Sequence, residues 1–127
     1  MAKNIPFRFV FDYLQSADIT VRPMFGMHAV YVNEKIMLVL RQGKVNRGKN
    51  GVWIATEQKH HKSLKEELPS LSSIFDYSKT TRQAQWQILP SSADDFEASV
   101  IKVCAMITRG DPRIGRIPKS EKLKVKS

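Results

Sequence analysis

The chain has 127 residues, of which 42% are hydrophobic and 9% aromatic, a composition typical of one globular domain with a single core. It contains no apolar run of roughly 18 residues and no charged start followed by an apolar stretch, so we predict neither a membrane span nor a secretory signal. These two absences favour a cytoplasmic protein with no membrane partner.

The positive charge is concentrated toward the C-terminal end. The formal net charge is +9, and residues 109–127 hold seven of the 21 Lys and Arg residues but only two of the 12 Asp and Glu residues. Pro112, Gly115 and Pro118 interrupt this stretch, which has no amphipathic period. We therefore predict a folded domain over residues 1–109 and a basic tail over residues 110–127 that is disordered or draped over the surface.

The clearest structural pattern is a predicted hairpin in the first half of the chain. Two apolar, β-rich runs, Met27 to Val32 and Ile36 to Leu40, flank the short connection Asn33 to Lys35. Asn33 accepts a positive φ at little cost whereas Glu34 does not, so a turn slightly longer than two residues is also open. The second run is apolar on both faces and predicts a central strand that helices cover at least in part.

Three more strands are expected. Ile19 to Phe25 forms the first, in which Pro23 requires an edge or an irregular point, and Gly26 marks a bend or bulge before the next strand. The others are Val52 to Ala55 and Gln83 to Ile88, the latter half-buried because polar and apolar residues alternate along it.

Apolar residues at helical spacing predict three amphipathic helices. The first begins after Asn4, and the second runs roughly from Glu57 to Leu68 with Thr56 as its cap and Pro69 at its end. The third follows Pro90, where Ser91 and Asp94 are close to a capping box. The apolar stripes are Phe7, Val10, Phe11 and Leu14 in the first helix, Leu64 and Leu68 in the second, and Phe96, Val100, Val103, Cys104 and Ile107 in the third.

Two motifs within this order of elements resemble the TfoX/Sxy N-terminal domain family. They are Val21-Arg22-Pro23-Met24-Phe25-Gly26 and, near the end, Trp86-Gln87-Ile88-Leu89-Pro90 followed by Asp94-Asp95-Phe96-Glu97. The resemblance covers about residues 5–109 and implies an α+β fold of order α-β(3)-β/α-β-α, with a curved antiparallel sheet packed against helices as in secretion-chaperone-like folds. It also implies structural roles for the motif residues Met24, Phe25, Gly26, Leu89 and Pro90.

The family resemblance implies a small bacterial protein without catalytic activity, whose best-known relatives regulate natural competence. The residues themselves show no reactive cluster. His60 and His61 point about 100° apart on a helix, and Cys104 lies in an apolar stripe where a thiol acts as a small hydrophobe. We therefore predict no catalytic residue, metal site or cofactor. The leading hypothesis is binding to a partner protein, and a homodimer through an exposed strand edge is one form of it.

Non-specific nucleic-acid binding is the alternative hypothesis. The connection from Arg41 to Gly51, which we interpret as a mobile loop or the end of a long hairpin, and the basic tail both carry cations that could contact phosphates. The candidate contacts are Arg41, Lys44, Arg47, Lys49, Arg113, Arg116, Lys119 and Lys122. Against this hypothesis, Trp53 and Trp86 are expected at inward strand positions and not on an exposed stacking platform.

Overall fold

The computed structural model describes residues 5–73 and 86–117. These residues form an α+β domain with one antiparallel sheet of six strands, which confirms the coarse class, an antiparallel sheet packed with helices. The strands are β1 (Ile19–Met24), β2 (Met27–Val32), β3 (Lys35–Arg41), β4 (Gly51–Ala55), β5 (Ser72–Ser73) and β6 (Trp86–Pro90). The α-helices are α1 (Phe9–Asp12), α2 (His61–Glu67) and α3 (Phe96–Thr108), and short 3-10 helices occur at Arg47–Lys49 and Gln58–His60.

The sheet has the order β1-β2-β3-β4-β6-β5, so β3 lies inside it. All residues from Ile36 to Leu40 are buried, as the double-sided apolar run predicts. The register changes between Val30, opposite Leu38, and Tyr31, opposite Ile36, which leaves Met37 as an extra residue on β3. Such a bulge bends a strand and increases its local twist.

The two faces of the sheet have separate apolar clusters. The larger cluster joins Leu38 and Leu40 to the buried sides of all three helices, for example Val10, Leu64 and Val103. The helices therefore cover this face, and the predicted apolar stripe of α3 is buried throughout. The smaller cluster, on the opposite face, consists of Ala29, Ile36, Val39, Trp53, Ala55 and Ile88.

Both hairpins in the first half of the chain close with two-residue turns. Phe25 and Gly26 join Met24 directly to its partner Met27, so the prediction of a bend or bulge at Gly26 was wrong. Both turn residues have a positive φ, of 51° and 79°, which is the pattern of a type I′ turn. Asn33 also has a positive φ, as expected, and the longer turn is not used because Val32 pairs with Lys35 across Asn33 and Glu34.

Strand β1 lies at the edge of the sheet, where Pro23 is predicted. A two-residue turn makes Met24 and Met27 the hydrogen-bonded pair, and pairing alternates along antiparallel strands. The nitrogen of Pro23, which pairs with His28, therefore faces away from β2. This proline costs the sheet no hydrogen bond, and it removes a donor from the outer edge, which disfavours pairing with another strand there.

Several predicted helix ends and one strand pattern are wrong. Helix α1 is shorter than expected, although Val10 and Leu14 are buried; Asn4 lies outside the described residues. Thr56 does not cap α2, because its hydroxyl donates to the carbonyl oxygen of Arg113 at 2.7 Å. Helix α3 begins at Phe96, and no side chain caps it, so the Ser91 and Asp94 box does not form.

The alternation expected for β6 also fails, because Gln87 is buried together with Ile88 and Leu89. Residues 83–85 of this predicted strand lie outside the described part.

The segment after α3 belongs to the fold, so the predicted boundary at residue 109 was wrong. Residues 111–117, which we call the strap, lie between the start of β3 and the end of β4. Ile36 and Arg116 exchange both backbone hydrogen bonds, at 2.8 and 3.0 Å, and Gly115 donates to the carbonyl oxygen of Ala55 at 2.8 Å. Ile114 is buried beneath these bonds. The tail prediction for residues 118–127 lies outside the described residues.

Candidate interaction surface

Two connections lie side by side at one end of the sheet. Leu40 pairs with His28, and Arg41 pairs with Gly51, so the Phe25–Gly26 turn and the β3–β4 connection (residues 42–50) project from the same end. Four of the exposed side chains here are apolar or cationic, and we call them the tip surface: Phe25, Lys44, Val45 and Arg47. The connection supplies both apolar and cationic groups to this end and carries no acid of its own, because the chain has no Asp or Glu between residues 35 and 56.

Phe25 is the most unusual residue of the tip surface. Its exposed fraction is 93%, and its φ of 51° lies in the left-handed region. A bulky aromatic residue at positive φ costs on the order of 1 kcal/mol or more, and its ring gains no burial in return. Phe25 therefore does not contribute to the core, and the structural role expected from the Met-Phe-Gly motif stays a prediction for it, whereas Gly26 suits its turn position. A Phe-Gly pair between two strand runs was the signal in the sequence for an exposed turn residue.

The β3–β4 connection is held by its own polar groups. Arg41 donates through Nη1 to the Asn46 carbonyl oxygen at 3.0 Å and to Asn50 Oδ1 at 2.7 Å, and through Nη2 to the Val45 carbonyl oxygen at 2.7 Å. The Asn50 side chain also bonds both backbone groups of Gly43, at 2.9 Å each. The connection is thus the end of a long hairpin, as one of the two predictions had it. Arg41, expected to contact phosphates, instead serves this internal network.

A pair of tryptophans supports the base of the same connection. Trp53 Nε1 donates to the carbonyl oxygen of Lys49 at 2.9 Å, and the Trp53 ring meets the Trp86 ring edge to face with centroids 6.1 Å apart. Trp53 is only 8% exposed, which confirms its inward position. The tryptophans therefore support the tip surface from below, and Lys49 is partly buried beside them.

The remaining predicted phosphate contacts lie elsewhere. Arg113 and Arg116 belong to the strap, at the Ile36 end of β3, whereas the tip surface lies beyond Arg41. Five residues of strand separate the two ends by roughly 17 Å. Lys119 and Lys122 lie outside the described residues. The described cations of the loop and of the tail thus do not form one surface.

Arg113 is engaged in an internal ion-pair network. Its Nη2 lies 2.7 Å from Asp111 Oδ2 and 2.6 Å from Glu67 Oε2, and its Nη1 donates to Ser63 Oγ at 2.6 Å. Hydrogen bonding from Arg113 lowers the pKa of Asp111 to about 2, and the same bond raises the pKa of Arg113. The network fastens the strap to α2. It leaves Arg113, whose side chain is 17% exposed, little capacity to bind a ligand.

Cys104 lies deep in the larger apolar cluster, with no exposed surface, and burial raises the pKa of its thiol to about 12. Because the thiolate is the reactive form, we expect the native protein to resist an aromatic disulfide reagent at pH 8. In denaturant the same reagent should modify one thiol per chain. Stoichiometric labelling of the native protein as fast as that of the unfolded chain would contradict the buried assignment.

Metal clusters, membrane-spanning helices and clefts are the other features of the described residues that could indicate a function. Within residues 5–73 and 86–117, no group of three or more His, Cys, Asp and Glu side chains could share a metal ion. No helix within these ranges is both long and apolar enough to cross a bilayer. Two of the clefts formed by the described residues could hold a ligand. One, of about 410 Å³, lies beside the β2–β3 turn and the end of α3, and the other, of about 160 Å³, lies between the end of α2 and the start of α3.

Comparison of the chain with protein-family models, curated proteins and solved structures found no match. The resemblance to the TfoX/Sxy N-terminal domain family therefore stays a prediction. Of its motif residues, Leu89 is buried and Met24 and Pro90 are partly buried. The tip surface itself is therefore the feature of the molecule that can indicate a function.

Proposed function

We propose that this protein is a non-enzymatic binding domain that docks a partner protein onto its tip surface, with Phe25 as the anchor. The observation that carries the proposal is a fully projecting phenyl ring in a backbone conformation that disfavours it. A cytoplasmic regulatory role and a secretion-chaperone-like fold, as the TfoX/Sxy resemblance implies, belong to the same proposal. Both are compatible with a protein that acts by binding a partner and not by catalysis.

Phe25 gains free energy on binding, because its phenyl ring is exposed in the isolated domain and would be buried against a partner. In the isolated domain the turn would be more stable with Asn, which tolerates a positive φ. Burying the phenyl ring against a partner contributes roughly 2–3 kcal/mol. The Arg41 and Asn50 network holds the neighbouring loop in place, so little conformational freedom remains to be lost on docking. These features are those of an interface anchor residue.

A protein partner is favoured over nucleic acid for two reasons. The predicted phosphate contacts are divided between opposite ends of β3, and Arg41 and Arg113 are engaged in internal bonds. In addition, Phe25 projects from a tight turn, whereas bases stack on open aromatic platforms or grooves. A single projecting ring fits a pocket on another protein.

The substitution Phe25→Asn separates stability from binding. We expect the free energy of unfolding to rise by about 0.5–1 kcal/mol, because Asn relieves the strained turn. Partner binding should weaken by about 2 kcal/mol or more, because the anchor is lost. Urea denaturation measures the first quantity and titration with the partner the second. The control is Tyr13→Ala, which removes a 48% exposed aromatic ring outside the tip surface and should leave binding intact.

The partner can be identified by a photoreactive amino acid placed at position 25 and, as the control, at position 13. After irradiation in cells, protein adducts specific to position 25 are identified, and the partner is purified and titrated with wild type and Phe25→Asn. Loss of affinity in Phe25→Asn alone supports the proposal. Equal affinity in both proteins, or adducts that consist of nucleic acid, would refute it.

A further inference from the structure

We infer that the partner is a second copy of this chain, whose cleft between α2 and α3 receives the tip surface. The inference rests on the proposed function and adds the identity of the partner. It joins two features of one molecule, a projecting apolar and cationic tip and a small cleft with carboxylates around it.

The cleft matches the anchor in size. It has a volume of about 160 Å³ and is lined by Glu67, Pro69, Asp95, Ala98, Ser99 and Lys102. An enclosed apolar cavity of about 150 Å³ accepts a benzene molecule, and this cleft, although open to solvent and partly polar, has a similar volume. The cleft can therefore hold the phenyl ring of Phe25, with Pro69 and Ala98 supplying apolar contacts.

The charges of the two surfaces are opposite. The tip surface carries Lys44 and Arg47 with no acid nearby in the sequence. Glu67 and Asp95 line the cleft, and three further acids, Glu66, Asp94 and Glu97, are exposed on the same helix ends. Among the described residues, Lys102 is the one cation that lines the cleft, and Glu67 already pairs with Arg113. The acids remain in excess, so the tip of one copy is attracted to the cleft of another.

The proposed contact between tip and cleft buries a small area, so its affinity should be low. A turn and one loop bury less area than a stable dimer interface, so the dissociation constant should lie in the micromolar to millimolar range. Each copy carries both surfaces. Contacts can therefore close reciprocally into a dimer or continue head to tail.

A charge exchange tests the inference with the purified full-length chain. The tip variant is Lys44→Glu with Arg47→Glu, and the cleft variant is Asp94→Lys with Glu97→Lys; all four side chains are exposed, so the fold should persist, as circular dichroism can verify. Sedimentation velocity should show concentration-dependent association of the wild type. Each variant alone should associate about tenfold or more weakly, and an equimolar mixture should regain association, because the reversed tip meets the reversed cleft.

Other outcomes overturn the inference. A wild type that remains monomeric at millimolar concentration refutes self-association, whereas Phe25-dependent binding to a different protein would still uphold the proposed function. Association that neither variant nor Phe25→Asn weakens would place the contact elsewhere, for example at the β1 edge. Variants that each weaken association but do not recover it on mixing would exclude the cleft as the docking site. Tip-dependent retention of single-stranded oligothymidylate by a monomeric wild type would refute both proposals.

Discussion

Gly51→Val is expected to destabilise the protein by roughly 3 kcal/mol or more, a large part of the stability of a small domain. Gly51 has a φ of 143°, and a Cβ atom there would overlap the carbonyl oxygen of Leu89 and lie 2.9 Å from the nitrogen of Ser91. Both atoms are backbone, in or directly after the neighbouring strand, so neither can move without disrupting the pairing of β4 with β6. Thermal unfolding should show a midpoint lower by about 10 °C or more.

The matched control is Gly48→Ala, in the same connection. A Cβ atom at Gly48 meets nothing within 4 Å, and its φ is not in the left-handed region. This substitution should leave the midpoint unchanged or raise it slightly, because alanine reduces the freedom of the unfolded chain. Equal destabilisation by the two variants would refute close packing at Gly51 as the cause.

Arg113→Ala is expected to cost about 3 kcal/mol, because it leaves the Asp111 carboxylate buried without its partner. The Asp111 side chain is 7% exposed and accepts three hydrogen bonds from the Arg113 guanidinium. Chemical denaturation at neutral pH measures the loss. The control is Arg109→Ala, whose guanidinium lies 3.5 Å from the same carboxylate but is 58% exposed; it should change stability by no more than about 0.5 kcal/mol.

The same pair of residues predicts a pH dependence. Arg113 lowers the pKa of Asp111 from 3.8 to about 2, so the folded state holds this carboxyl ionised more strongly than the unfolded chain does. The resulting stabilisation, about 2 kcal/mol, is fully present above pH 4 and is lost as the pH falls toward 2. In Arg113→Ala most of this acid-dependent part should disappear, because only the backbone N–H of residue 113 and the Arg109 side chain still lower the pKa of Asp111. An identical stability profile between pH 5 and 2 in wild type and variant would contradict it.

The parts of the fold that were predictable are those in which burial follows a regular period. Ile36 to Leu40 is apolar at every position because β3 has strands on both sides and apolar clusters on both faces. The α3 stripe repeats every three or four residues because one helix face meets the sheet. In both cases the positions of the apolar residues in the sequence indicate which surface is buried.

The strap could not be predicted, because its attachment is mostly through backbone bonds. Ile114 is its single fully buried apolar side chain, and the bonds of Gly115 and Arg116 go to Ala55 and Ile36, which are far away in sequence. Such backbone contacts leave no periodic pattern of apolar side chains in the sequence. The internal bonds of Arg41 were not predictable for a related reason, since its charge is visible in the sequence but the carbonyl groups that surround it depend on the shape of the loop.

The candidate site was only half visible in the sequence. The Met-Phe-Gly motif and the basic loop were both recognisable, but their juxtaposition depends on the register between β2 and β3. The exposure of Phe25 follows from the two-residue turn, and a bulge at Gly26 would have turned the ring elsewhere. Sequence alone therefore identified these residues, but it did not predict that Phe25 projects into solvent beside the basic loop.

The strap also affects how the chain folds during translation. Ile36 is synthesised 80 residues before Arg116, so the backbone groups of Ile36 lack their strap partner until Arg116 has been synthesised. At the usual speed of elongation this interval lasts several seconds, long compared with the closure of a hairpin. The nascent sheet therefore lacks the strap until then, and a product terminated before Arg116 would leave the start of β3 unpaired there for chaperones and proteases to recognise.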